Sequence, residues 1–176
     1  LFADERAMRS PIVIGDERAP ATFAREDEWA LGEHEQFYTG KVRDAWATTF
    51  PPEVELTESF LWRGQDRFGI YCAVCHGLDG SGMGVVQKRV VDKNLLGGGT
   101  AVGWVPPTVL VDQTIRERAV GEIFNTITNG IRTMPPYGDQ LSEEDRWAIV
   151  AYVRALQRSQ HATIDDVPTE MRDKLR

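Results

Sequence analysis

Cysteine is almost missing from this chain: Cys72 and Cys75 are the only two in 176 residues. A structural zinc site wants four protein ligands, and beyond these two only His34, His161, the adjacent His76 and carboxylates remain to supply them. No apolar run approaches the ~18 residues of a transmembrane helix. The opening Leu1-Phe-Ala-Asp-Glu lacks the basic start and apolar stretch of a secretory signal. Strand signals are few, and no βαβ pattern accompanies the cysteines, which removes the usual setting of a thioredoxin-type dithiol. Positive charge is in deficit: 20 Lys and Arg face 27 Asp and Glu, for a net −7. An acidic surface argues against nucleic acid or anionic lipid as partner and suits docking to a basic or mixed patch on another protein.

What is present is concentrated in Cys72-Ala-Val-Cys75-His76. Two cysteines two positions apart, followed at once by histidine, read as a c-type haem attachment site. The two thiols add across the two vinyl groups of one porphyrin, and the adjacent imidazole is carried under the ring to bind iron. One covalently attached haem c consumes both thiols, so they say nothing about disulfides. Covalent attachment generally happens outside the bacterial cytoplasmic membrane. The reading therefore expects an exporting or anchoring segment removed upstream of Leu1, and a periplasmic location or one on the outer face of that membrane.

An apolar fraction of 41% supports a real core, and the chain divides into one domain with extensions. Residues 1–55 are polar, carry Pro11, Pro20 and Pro51-Pro52, and hold aromatics at Phe23, Trp29, Phe37, Tyr38, Trp46 and Phe50. A disordered tail has few aromatics, so this extension is expected to lie largely extended against the haem domain or a partner subunit. Residues 56–158 form the haem domain, and 159–176 a polar tail with one short helix near Pro168.

Within the domain, Thr57 to Tyr71 reads as a helix with Thr57 as N-cap and Phe60, Leu61, Gly64, Phe68 and Tyr71 on one face. A glycine on that face predicts close approach of another helix. Gly77 to Gly84 is expected to be a turn passing close to the porphyrin, since no Gly-Lys-Ser/Thr follows to make a phosphate loop. Residues 87–103 read as a surface loop. Val120, Ile123, Phe124 and Ile127 mark a short helix stopped by Asn129-Gly130. Ser142-Glu-Glu-Asp145 starts a last helix, running to about Gln157, with Trp147, Ala151, Tyr152, Ala155 and Leu156 on one stripe. The expected fold is all-α with long loops.

Iron held by His76 takes a sixth ligand or keeps an open site. Met83 lies in the same local loop as His76, where reaching the opposite ring face demands a tight passage. Met134 stands in Thr133-Met134-Pro135-Pro136-Tyr137-Gly138, where two prolines lower the entropy lost on ordering the loop. It is the expected ligand, with His161 and Met83 as alternatives and core packing as the ordinary role of a methionine. Histidine–methionine ligation raises the reduction potential and closes the iron, which suits electron transfer rather than bond-making chemistry. The second nitrogen of His76 should donate to a backbone carbonyl, expected from Pro106 or Pro107. Arg89, Arg132, Trp104 and Tyr137 are candidate propionate partners.

This order of features resembles class I cytochrome c over residues 57 to about 158. In that family the first and last helices cross at a glycine against aromatics of the last helix, which matches Gly64, Trp147 and Tyr152. Phe37-Tyr38-Thr39-Gly40-Lys41-Val42, Ile127-Thr-Asn-Gly130, the run Asp145 to Gln157 with Ser159-Gln160, and Asp166-Val-Pro168 are similar to the monohaem cytochrome c subunit of alternative complex III. The resemblance implies a subunit of a bacterial quinol-oxidising membrane complex that passes electrons to an oxygen reductase or a soluble carrier. Its usual N-terminal lipidated cysteine is not found here. The Met-Pro-Pro-Tyr loop resembles equally the cytochrome c domain of a caa3-type oxygen reductase. A diffusing soluble carrier, and a haem peroxidase or gas sensor with an open sixth site, are the remaining alternatives.

Overall fold

The computed structural model describes residues 34–95, 104–172 and 174. Residues 34–39 are helical (α1), and a two-residue hairpin pairs β1 (Lys41–Val42) with β2 (Ala45–Trp46). The other helices are α2 (Glu58–Tyr71), α3 (Ala73–His76), α4 (Val85–Leu95), α5 (Gln113–Arg116), α6 (Val120–Asn129), α7 (Glu143–Gln160) and α8 (Thr169–Arg172). A 3₁₀ turn, Ile164–Asp166, precedes α8. The described chain is thus helical apart from one small hairpin.

Local chemistry sets the helix ends. The Thr57 hydroxyl accepts from the Phe60 N–H at 3.2 Å to start α2, and the Ser142 hydroxyl accepts from the Asp145 N–H at 3.2 Å to start α7. These caps satisfy amides that the first helical turn leaves without intrahelical partners. Gly130, at φ 72°, closes α6 and donates to the Thr126 carbonyl.

α2 and α7 cross with their backbones nearly touching. A Cβ added at Gly64 would lie 2.0 Å from the Ala148 carbonyl oxygen and 3.0 Å from the Tyr152 Cβ. Phe68 packs beside Tyr152 with ring centroids 5.3 Å apart, and Trp147 stacks on Phe124 of α6 at 4.3 Å. Outside the crossing, Asp145 accepts from the Nε of Arg63 at 2.7 Å and of Arg67 at 3.2 Å. Burial disfavours the Asp145 carboxylate, but the two guanidiniums outweigh it and hold the group below its ordinary range.

Helix α7 is buried over Arg146 to Ala151, not along one stripe. Ala155, expected in the core, is exposed. The reason is that α7 is central: α2 covers one side, α6 another, and residues 34–55 a third. In that segment the Phe37 carbonyl accepts from the Trp147 indole N–H at 2.8 Å, and Phe50 meets the Trp147 ring edge-on at 5.8 Å. The hairpin rests on α6, with the Ala47 carbonyl accepting from the Gly121 N–H at 2.9 Å. Residues 34–46 therefore adopt a helical turn and a hairpin instead of running extended. Residues 1–33 of the expected extension lie outside the described residues.

Residues 85–95 form α4, where a surface loop was expected from Gln87 onward. Val86, Val90 and Val91 are partly covered on one side and Gln87 is buried, an amphipathic spacing that the neighbouring charges obscure. Residues 96–103 of that expected loop lie outside the described residues.

Replacing Gly64 with alanine tests the crossing. Helix propensity favours the change by ~1 kcal/mol, yet overpacking against a backbone carbonyl costs typically ~1–3 kcal/mol or more. The expected outcome is a net loss of stability in guanidinium denaturation of the holoprotein; equal or greater stability would show that the helices do not meet there.

Candidate functional site

α3 is a single turn. The Cys72 carbonyl accepts from the amides of both Cys75, at 3.1 Å, and His76, at 2.9 Å. Two thiols and an imidazole are thereby held on one short rigid unit. They face an open, mostly apolar cleft. Cys72, Cys75, His76, Trp104, Pro106, Met134 and Tyr137, the residues expected to hold the cofactor and its iron, all line this one cleft. Ile123 and Ile127 of α6 and Ile149 and Val153 of α7 form its apolar floor.

His76 donates from Nδ1 to the Thr108 carbonyl at 3.0 Å. This corrects the expected Pro106 or Pro107 partner. The two prolines line the cleft themselves, and the chain presents its next carbonyl to the ring. Because a carbonyl only accepts, Nδ1 carries the proton and Nε2 keeps its lone pair. Burial holds His76 below the usual histidine range despite the Thr108 bond, so the ring is neutral at pH 7.

Burial, reinforced by Cys75, pushes the Cys72 thiol up to about 12. A redox dithiol needs a depressed thiol, and burial moves Cys72 the other way. Among the described residues no group of three or more His, Cys, Asp or Glu is arranged to hold a metal ion. Burial and the two cysteine sulfurs raise the Tyr137 phenol, and Tyr137 stands edge-on to Tyr71 at 6.3 Å.

Met134 sits in a tight turn. Its amide donates to the Ile131 carbonyl at 2.9 Å and its carbonyl accepts from the Ile131 amide at 3.1 Å. The turn hangs on the end of α6, since Tyr137 N–H donates to Ile127 and Gly138 N–H to Thr128. A side chain at Gly130 would place its Cβ 2.5 Å from the Met134 carbonyl. The two alternatives lie elsewhere: Met83 is exposed outside the cleft, and the His161 ring bonds to the Gln157 carbonyl.

Among the described residues the cleft lining holds two cations, Arg118 and Arg132, and no carboxylate. Arg118 was not foreseen; no local sequence pattern distinguishes it from the arginines at 116 and 132. Arg89 does not line the cleft, and the Trp104 indole N–H donates to the buried Gln87 at 2.7 Å. The glycine-rich turn 77–84 does not line it either. It packs behind α3, where Gly82 N–H donates to the His76 carbonyl and Gly84 N–H to that of Cys75. Gly80 accepts from the Leu110 amide, so the turn clamps the Thr108 segment to the motif. From the other side Arg154 donates to carbonyls of Arg116 and Arg118, and Gln157 donates to that of Leu110 at 2.6 Å.

These residues fit a haem: paired thiols, a neutral imidazole with its free nitrogen, apolar walls, and two cations for a molecule whose only anionic groups are its two carboxylates.

The comparison with known protein families agrees. The family described as cytochrome c oxidase, cbb3-type, subunit III matches residues 61–153, just over half of the chain. No curated protein matches. Among solved structures, one chain of the Kuenenia stuttgartiensis reducing HAO-like protein complex is similar at 20% identity and a TM-score of 0.45, over 69% of this chain and 54% of that one. The present chain thus spans about half the length of that relative. With its all-α class I cytochrome c fold and its cleft built on Cys72, Cys75 and His76, the chain belongs to the cytochrome c family matched over residues 61–153, a domain that implies covalently bound haem c and haem-based electron transfer.

Proposed function

We propose that the chain is a monohaem cytochrome that moves single electrons within a bacterial respiratory chain. In this reading it is a subunit of alternative complex III, on the outer face of the cytoplasmic membrane, and delivers electrons to an oxygen reductase or a soluble carrier. The observation that carries the electron-transfer part is that His76 and Met134, from separate elements, line the cleft into which both motif cysteines open. The assignment to the complex rests on the segments 37–42, 127–130, 145–160 and 166–168. No described helix is long and apolar enough to cross a membrane, so association comes through the partner complex or an anchor.

When bound, haem c supplies an iron that gains or loses one electron. Cys72 and Cys75 would hold the porphyrin through thioethers, and His76 would offer Nε2 and Met134 its thioether to the iron. Thr108 keeps the imidazole in the right tautomer. Arg118 and Arg132 would pair with the carboxylates, and the isoleucine floor would exclude water. The family description, an oxygen-reductase subunit, favours a second reading: the cytochrome c domain of an oxygen reductase.

Met134→Ala should leave haem attached, abolish the weak methionine–iron charge-transfer band, and lower the potential by on the order of 0.2 V, within the roughly 0.8 V that axial ligands span. Gly130→Ala should weaken the same band by displacing the turn. An unchanged spectrum in Met134→Ala excludes that ligand. Arg118→Gln removes a cation that favours the reduced centre, so the potential should fall by about 60 mV, one decade for a one-electron couple; no fall would remove Arg118 from the carboxylates. Solubilised native membranes should show the chain comigrating with quinol-oxidising activity. Comigration with oxygen-reducing activity assigns the second reading, and recovery only in the soluble fraction excludes both.

A further inference from the structure

Arg146 is a buried cation in the first turn of α7, beside Glu143, Glu144 and Asp145. The N-terminal end of a helix carries the positive pole of its dipole, which favours those three acids and opposes an arginine. Burial opposes it as well, since a charge taken out of water is costly unless its hydrogen bonds are made. We infer that Arg146 is a positioning residue for the second iron ligand. Its guanidinium fastens both ends of the connection that carries Met134, and so sets how readily the thioether leaves the iron. The inference rests on the reading of Met134 as that ligand and adds what holds it in place.

Residues 130–142 connect α6 to α7 and contain Met134. At the start of this connection, Arg146 Nη1 donates to the Thr128 hydroxyl at 2.6 Å. That hydroxyl donates in turn to the Phe124 carbonyl at 2.8 Å, which leaves its lone pairs to the guanidinium. The Thr128 carbonyl is the acceptor of the Gly138 N–H at 3.1 Å. At the far end, Arg146 Nε donates to the Leu141 carbonyl at 3.1 Å and more weakly to that of Ser142 at 3.4 Å. The Leu141 amide donates back to the Tyr137 carbonyl at 3.0 Å. One planar group thus joins the last turn of α6 to the chain's return into α7. The Phe124 ring, 4.9 Å from the guanidinium carbon, and the Glu143 carboxylate fix its plane.

The turn hung between these anchors is strained. Arg132 stands at φ 53°, a left-handed conformation that an L side chain adopts only at a cost. Such a conformation persists where the surroundings over-determine it. The amides of Tyr137 and Gly138 carry the constraint from α6 into the turn, and Arg146 keeps α6 and the returning chain at a fixed separation. Loosening that tie lets the turn relax, and the thioether moves with it.

The test is displacement of Met134 by imidazole in the oxidised holoprotein, followed through loss of the methionine–iron charge-transfer band. The sulfur leaves the iron, an imidazole nitrogen takes its place, and no electron is transferred. Arg146→Met keeps the length of the side chain and removes every donor. Loss of these charge-assisted bonds weakens the closed state that competes with imidazole, so imidazole should bind about tenfold more tightly. Arg146→Lys, whose single ammonium cannot span both anchors, should fall between that variant and the wild type. In Met134→Ala there is no thioether to displace, so adding Arg146→Met to it should leave imidazole affinity unchanged. Asp145→Asn, which loosens α7 only on its α2 side, should keep the wild-type affinity. Three results overturn the inference: wild-type affinity in Arg146→Met, an equal gain in Asp145→Asn, or an effect of Arg146→Met that persists without Met134. Failure of the ligand reading looks different: Met134→Ala alone then keeps the band and the wild-type affinity.

Discussion

Everything in this domain depends on the contact of two backbones at Gly64 and Ala148. Helices usually pack 8–10 Å apart, at a distance set by the side chains between them. Here one partner contributes no side chain, and a Cβ at Gly64 would sit within bonding range of a carbonyl. The close approach lets Phe68 reach Tyr152, and it aims the Ile149 and Val153 side of α7 at the haem motif that follows α2. Trp147 is left to stack on Phe124 and to receive residues 34–55. One missing methyl thus sorts the faces of α7 between cofactor and core.

The cleft is asymmetric in how it is supported. On the His76 side, α7 donates from Arg154 and Gln157 to carbonyls between Leu110 and Arg118, and Gln160 donates to the Asp79 carbonyl. On the Met134 side, a four-residue turn is tied to the end of α6 by two amides. Arg146 reinforces that end by bonding Thr128 at 2.6 Å and Glu143 while lying over the Phe124 ring. Histidine orientation is therefore a property of the last helix, and methionine orientation a property of the shortest amphipathic one.

Much of this was legible in the sequence because its signals are local. Thr57, Ser142 and Gly130 mark helix ends by chemistry that acts over three or four residues. The motif spacing states its own purpose. Gly64 was informative because a glycine on an apolar helical face has little reason to be there without a close neighbour. What stayed hidden was non-local or masked by charge. Thr108 could not be told from Pro106 or Pro107 as the source of the carbonyl that accepts from His76, because the choice depends on how residues 104–110 are pinned from two sides. α4 was missed because its three cations and one carboxylate read as loop. Arg118 acquires meaning only when α6, α7 and the motif meet.

The side chains that grip the His76 side lie at positions 154–160, about eighty residues after the motif. During synthesis the chain emerges from its N-terminus, so the thiols and the imidazole are available long before the helix that encloses them. Contacts this distant in sequence carry a loop-closure cost. The motif itself needs only one helical turn, whereas the wall that α7 gives the cleft waits for the final helix. A chain stopped before Glu143 would still present Cys72, Cys75 and His76, without the Ile149 and Val153 side of the cleft to receive what they hold.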